Sequence, residues 1–344
     1  MVGGTARNPD PGVAWRSVQN FSQRNEHDAG AGLCWNRIMN GFRVEVGLPW
    51  ARDMSLRRFL RAGGGLAALA LMPAPGEEQV GGEGGWRPQL ALSSVMFSGL
   101  SLEAFCRKAV ELGFRGIDLW SPFGQCRHLA EAQEMGAPAF KKLLARHGLV
   151  VGAYTTYRTK GHDEGFPGFA EFVGACGCGV VVRESKYGKI AEEDLEAAMR
   201  SFFEELKPEI ALARKHGVRL AIENHSGAIL DTLESLRMFT KLNPAPGVVG
   251  IALAIYHLQN RRVPVDEAIR ACGRQLLFLY AWQAMGGVAQ LPGHGPADFK
   301  PWLQVLAEQK FAHWITPFMH GELPVDEMTK AVAKARRYLQ DKSS

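Results

Sequence analysis

From Pro88 onward, short apolar runs alternate with stretches whose apolar positions recur every three or four residues. That alternation predicts a chain of strand and helix units. The strands fall at Leu90–Phe97, Gly116–Trp120, Leu149–Tyr157, Val180–Glu184, Val218–His225, Val249–His257, Leu276–Gln283 and His313–His320. Helices are expected between and after them at Ser101–Leu112, Pro138–His147, Phe166–Ala175, Glu193–His216, Thr232–Leu242, Val265–Ala271, Pro296–Gln309 and Val325–Leu339. In the first helix Leu102, Phe105, Cys106, Ala109 and Val110 share one face, Ser101 can cap the start and Gly113 can end it. The triplets Leu112-Gly113-Phe114, His147-Gly148-Leu149 and His216-Gly217-Val218 each place glycine just past a helix and an apolar strand directly after it. Eight such units in about 250 residues fit an α/β fold of the (β/α)8 TIM-barrel type. An open doubly wound sheet is the runner-up, weakened because no Gly-x-Gly-x-x-Gly turn follows a strand.

The first quarter of the chain reads differently. Residues 1–53 are rich in Gly, Asn, Arg and Asp without a sustained period, which predicts a disordered leader. Residues 54–76 carry the pair Arg57-Arg58, a short Gly/Ala/Leu run and then prolines, and resemble a twin-arginine export signal, with Ala68-Leu69-Ala70 as a small-residue cleavage pattern. This implies a periplasmic location, with translation starting at Met54; without it the chain is expected in the cytoplasm. The run is too short to span a bilayer core of about 30 Å, so no stable membrane span is expected. A glycine-rich linker over 77–87 leads to the barrel at 88–344.

The formal net charge of +5 is concentrated upstream. Residues 1–76 hold nine Lys and Arg against five Asp and Glu, leaving 31 against 30 in the remainder. A nearly neutral body argues against nucleic acid as a partner. Six cysteines are too few for a disulfide framework in 344 residues, and Cys176-Gly177-Cys178 lacks the second pair that structural zinc requires. It reads as packing at a helix end.

Active sites of α/β barrels sit at the carboxyl ends of the strands. The strand ending Ala221-Ile222-Glu223-Asn224-His225 turns from apolar to polar within three residues and is the strongest candidate. Glu184, His257, Tyr280, Trp282, Gln283 and His320 end other strands, and His294 lies on the loop after the seventh. Glu223, Glu184 and His257 are the candidate catalytic groups. Asn224, His225, Tyr280, Trp282, Gln283, His294 and His320 are the candidate substrate contacts. Mixed carboxylate and imidazole donors suit a divalent metal such as Mn, Zn, Co or Fe, and Mg is a further candidate; Glu223, His225 and His257 are the expected ligands. Each has a structural counterpart reading: Glu184 paired with Arg183 or Lys186, Trp282 as packing, His257 bonded to a backbone carbonyl.

Phe114-Arg-Gly-Ile-Asp118, Ala221-Ile-Glu-Asn-His225, Val249-Gly-Ile-Ala-Leu-Ala254 with His257, and Leu291-Pro-Gly-His-Gly-Pro-Ala-Asp-Phe299 together resemble the sugar phosphate isomerase/epimerase family of xylose isomerase-like TIM barrels. The resemblance runs from about Leu90 to Leu339. It implies a divalent-metal site at the strand ends and proton transfer on a sugar, polyol or cyclitol. Such families draw ligands from a Glu on strand five, an Asp on six, a His on seven and a Glu on eight. Here the corresponding positions hold Glu223, Ala254, Tyr280 and Thr316 or Pro317. Three readings follow: an isomerase or epimerase with a rearranged metal site, a non-catalytic saccharide-binding barrel that has lost its metal, and, least supported, a phosphodiesterase like the apurinic endonucleases. A homo-oligomer is compatible with each.

N-terminal sequencing of the native protein tests the export reading. The mature chain is expected to begin beyond the Ala68-Leu69-Ala70 pattern; a chain retaining 54–76 contradicts it.

Overall fold

The computed structural model describes residues 85–159, 163–177, 179–188 and 190–343. The leader 1–53, the export-like segment 54–76, most of the linker 77–87, and Cys34 and Cys178 lie outside the described residues. Eight parallel strands, β1 (Gln89–Ser93), β2 (Gly116–Trp120), β3 (Val150–Thr155), β4 (Val180–Glu184), β5 (Arg219–Glu223), β6 (Val249–Ala254), β7 (Leu276–Ala281) and β8 (Trp314–Pro317), form a closed barrel in sequence order. Gln89 and Leu90 pair with Trp314 and Ile315 to close the ring. The helices are α1 (Leu102–Glu111), α2 (His128–Met135), α3 (Ala137–His147), α4 (Phe166–Cys176), α5 (Leu195–His216), α6 (Leu233–Leu242), α7 (Ile255–Asn260), α8 (Val265–Cys272), α9 (Lys300–Glu308) and α10 (Val325–Lys342). Among the described residues no helix is long and apolar enough to cross a membrane.

Strand side chains alternate between two buried layers, as expected when both faces of a parallel sheet are covered. Leu119, Val181, Leu220, Ile222, Ile251, Leu253, Leu279 and Ile315 face the helices. Trp120, Ala153, Val180, Val182, Ala221, Ala252, Phe278 and Tyr280 fill the barrel interior. The expected helix ends are present. Ser101 caps α1 by accepting from the Ala104 N–H, and Gly148 and Gly217 adopt left-handed geometry (φ +62° and +67°) after α3 and α5.

Several strands are shorter than their apolar runs. Ser94–Phe97 continues β1 as a 3-10 turn, and Leu149, Tyr157, Val218, Asn224, His225, Trp282 and Gln283 flank strands instead of belonging to them. His257 is the main correction: it lies on α7, which begins directly after β6. Helix α2 was not expected, because its apolar face is short; Leu129, Ala130 and Ala132 are buried. The expected Pro296–Gln309 helix begins at Lys300, with proline in its first turn. Cys176 closes α4 and packs against the outer layer.

The amino-terminal end of the barrel is plugged by the Trp314 ring, and glycines at 116 and 152 make room for it. A Cβ at Gly152 would sit 2.7 Å from Trp314 Cγ, so Gly152→Ala should destabilise the barrel by about 1–3 kcal/mol through overpacking. Urea unfolding measures this; unchanged stability would show that the indole can shift freely.

Candidate functional site

Strand alternation directs Asp118 and Trp120, Thr155 and Tyr157, Glu184, Glu223 and Tyr280 toward the barrel axis at its carboxyl end. Asp118 is fully buried and accepts hydrogen bonds from Ser93 Oγ (2.8 Å), Trp120 Nε1 (2.7 Å) and Thr155 Oγ1 (2.7 Å). The Thr155 hydroxyl also meets the Tyr280 hydroxyl at 2.7 Å. Thr155 has one proton and gives it to Asp118, so Tyr280 must donate to Thr155. Burial pushes Asp118 up to about 6, against the opposing pull of its three donors.

Glu223, 6% exposed, accepts from the Tyr157 hydroxyl. Burial, then the Asp118 charge, raise its carboxyl to about 8. Two acids thus share a buried interior and differ in donors. At neutral pH Asp118 holds the charge and Glu223 remains largely a neutral acid. Glu184 pairs in register with Glu223 on the neighbouring strand, and its Oε2 is buried with no hydrogen-bond partner among the described residues.

A layer of imidazoles and aromatic rings lies above the acids. The rings of His225 and His257 are 3.8 Å apart, and His257 Nδ1 lies 3.3 Å from Ser226 Oγ. His225 Nδ1 donates to the Ser226 carbonyl at 3.0 Å. Trp282 stands edge-on to His257 (5.4 Å) and His320 (4.9 Å), while Tyr256 stacks on its face at 4.1 Å. Exposed Tyr187 meets the His225 ring at 5.0 Å. Phe318 joins Trp282 and His320 to Trp120, and Trp120 meets Tyr157. Burial lowers all three histidines. His257 falls to about 2 with help from His225 and His320, and His320 falls to about 4 with help from His225. The layer is therefore uncharged at neutral pH.

Three expected contacts are committed to the backbone. Asn224 accepts from the Ala254 N–H (2.6 Å) and donates to the Ala254 carbonyl (3.3 Å), so it clamps β5 to β6. Gln283 donates to the Leu291 carbonyl and accepts from the Ala297 N–H. His294 Nε2 bonds the Ala331 carbonyl at 3.0 Å. Such groups look functional in a sequence because they are polar and near strand ends, but buried backbone groups need partners too.

Glu223, His225 and His257 were the expected metal ligands. Among the described residues no group of three or more His, Cys, Asp or Glu side chains is placed to hold a metal ion. Glu223 accepts from Tyr157, His257 lies on α7 beyond the end of β6, and His225 has one ring nitrogen bonded to the Ser226 carbonyl. Asp118 and Tyr157 were not singled out as site residues from sequence. The signal for Asp118 was an acid inside the apolar run Gly116–Trp120. An open cleft of about 550 Å³ lies beside β7, lined by Gln259, Arg262, Val263, Pro264, Met285 and Pro296 among others. It contains none of these acids or imidazoles.

The family model described as "Xylose isomerase-like TIM barrel" matches residues 106–342. No curated protein sequence matches the chain. Among solved structures, the chain is similar to 3-keto-D-glucoside 4-epimerase from E. coli, with 14% identity and TM-score 0.57 over 73% of this chain and 100% of that one. It is similar to D-psicose 3-epimerase from Clostridium cellulolyticum H10 solved with D-tagatose, with 14% identity and TM-score 0.56 over 74% and 99%. It is also similar to the IolI protein with a bound zinc atom, with 17% identity and TM-score 0.58 over 74% and 98%. At such identities the likeness is one of fold.

The Glu223 carboxyl gives a pH signature. Its folded value of about 8 lies above the ordinary 4.5, so its contribution to stability is present at low pH and is lost as pH rises through that window. The wild type should therefore lose stability relative to Glu223→Gln by up to roughly 1.4 kcal/mol per pH unit between about pH 5 and about pH 8. Urea unfolding across this range measures it; a pH-independent difference contradicts the neutral acid.

Proposed function

Because the chain belongs to the xylose isomerase-like TIM-barrel family, we propose that it captures a sugar or polyol at the carboxyl end of its barrel without a bound metal. The observation that carries this reading is the uncharged layer of His225, His257, His320, Tyr256 and Trp282 over a protonated Glu223. Aromatic faces cover the apolar faces of a sugar ring, and imidazoles and hydroxyls exchange hydrogen bonds with its oxygens. The epimerases of similar fold act on sugars, as their names state, which supports the substrate class.

The metal-dependent version of such chemistry is not carried over. Of the four strand-end positions compared above, only Glu223 is an acid; Ala254 has no donor, Tyr280 is bonded to Thr155, and Thr316 Oγ1 donates to the Pro317 carbonyl. A zinc atom accompanies one similar fold, but the donors present here do not fit one.

A second reading, proton-transfer isomerisation or epimerisation, is favoured by one specific property. A carboxyl held near 8 can give a proton to a substrate oxygen, or in its ionised form take one from carbon, at near-neutral pH. The Tyr157 hydroxyl would donate to whichever charge Glu223 acquires.

Calorimetry with D-tagatose in the presence of EDTA tests the binding reading. Saturable heat is expected, and its absence contradicts capture of this sugar without metal. Incubation in D2O then separates the readings: deuterium appearing beside the carbonyl carbon, and abolished in Glu223→Gln, establishes proton transfer. Binding without exchange leaves a saccharide-binding barrel.

A further inference from the structure

Two polar atoms in this mouth have no partner among the described residues, and they are of opposite kind. Trp282 Nε1 is a donor on a side chain 1% exposed, and Glu184 Oε2 is a buried acceptor. An orphaned buried donor or acceptor costs about 1–3 kcal/mol, so a chain that keeps two of them at a site mouth leaves them for something outside itself. Their positions are informative. Glu184 ends β4, in register with Glu223, and Trp282 directly follows β7, three strands further round the ring. Between them run Tyr187, which feels the Glu184 charge and meets His225, and then His257, which meets Trp282.

The charges around this arc are one-sided. None of the inward-facing residues named above is Lys or Arg. Among the described residues, the cations on or after the neighbouring strands pair with acids: Arg158 and Arg183 with Glu209, Lys186 with Glu205, Arg261 with Asp231. Asp118, Glu184 and Glu223 all face inward, while the imidazoles are neutral. A phosphate entering this mouth would meet carboxyl groups and no compensating cation among the described residues.

We propose that Trp282 and Glu184 form a specificity pair: the indole N–H donates to one hydroxyl oxygen of an unphosphorylated sugar or polyol, Glu184 Oε2 accepts from another hydroxyl, and phosphorylated sugars are excluded. This rests on the sugar-binding reading above and narrows it to uncharged ligands. Tyr256, half-buried, lies flat on Trp282.

The test compares D-tagatose with D-tagatose 6-phosphate by calorimetry on the wild type, Trp282→Phe and Glu184→Ala. The wild type should bind the free sugar at least about tenfold more tightly than its phosphate, and each variant should weaken the free sugar by about tenfold, the worth of one buried hydrogen bond. Trp282→Phe keeps an aromatic ring in the interior; should it fail to fold, Glu184→Ala carries the comparison. Glu184→Gln should in addition narrow the gap between sugar and phosphate, which a merely structural role would leave unchanged. Equal or tighter binding of the phosphate, or free-sugar affinity unchanged in the folded variants, overturns the specificity pair while leaving sugar binding intact. No heat with either ligand overturns both.

Discussion

Asp118 sets the terms for everything above it in the barrel. A carboxylate with no solvent contact is tolerated only where donors surround it, and here Ser93, Trp120 and Thr155 supply three from β1, β2 and β3. Tyr280 on β7 extends the chain of bonds through Thr155 to the far side of the ring. Strands that are not neighbours in sequence are thus joined by one buried charge. A second charge in the same buried space is disfavoured, and Glu223, whose donor among the described residues is Tyr157, is raised further than Asp118.

The rings above Glu223 are packed against one another instead of converging on a point. Trp120, Tyr157, Phe318, Trp282 and the three histidines form a continuous ring-to-ring layer. Their low imidazole values follow from the same burial and from each other. The family fold is present, and hydrogen bonding and ring stacking prevail among the described side chains at its strand ends.

The barrel was legible in the sequence because its causes are periodic. Apolar runs and helical faces repeat eight times, glycine follows several of the helices, and Gly116–Trp120 and Val180–Glu184 emerge with the bounds the pattern predicts. The end of β6 was not legible: Ile255, Tyr256, His257 and Leu258 extend an apolar run that reads as strand, yet the chain turns into α7 directly after Ala254. Which polar side chains face the mouth was only partly legible. Asn224, Gln283 and His294 satisfy backbone groups through contacts made 8 to 37 residues away, which local pattern cannot show. Asp118 escaped notice for the converse reason, since its three donors are distant or embedded in apolar segments.

The proposed capture of a sugar without metal rests on buried hydrogen bonding and ring packing at these strand ends. Metal content of the purified protein, produced with Mn and Zn supplied and measured alongside thermal unfolding with and without chelator, tests it most directly. Substoichiometric metal with an unchanged unfolding temperature is the expected result. Stoichiometric metal, with an unfolding temperature that drops on chelation and is restored by adding the ion back, would contradict it.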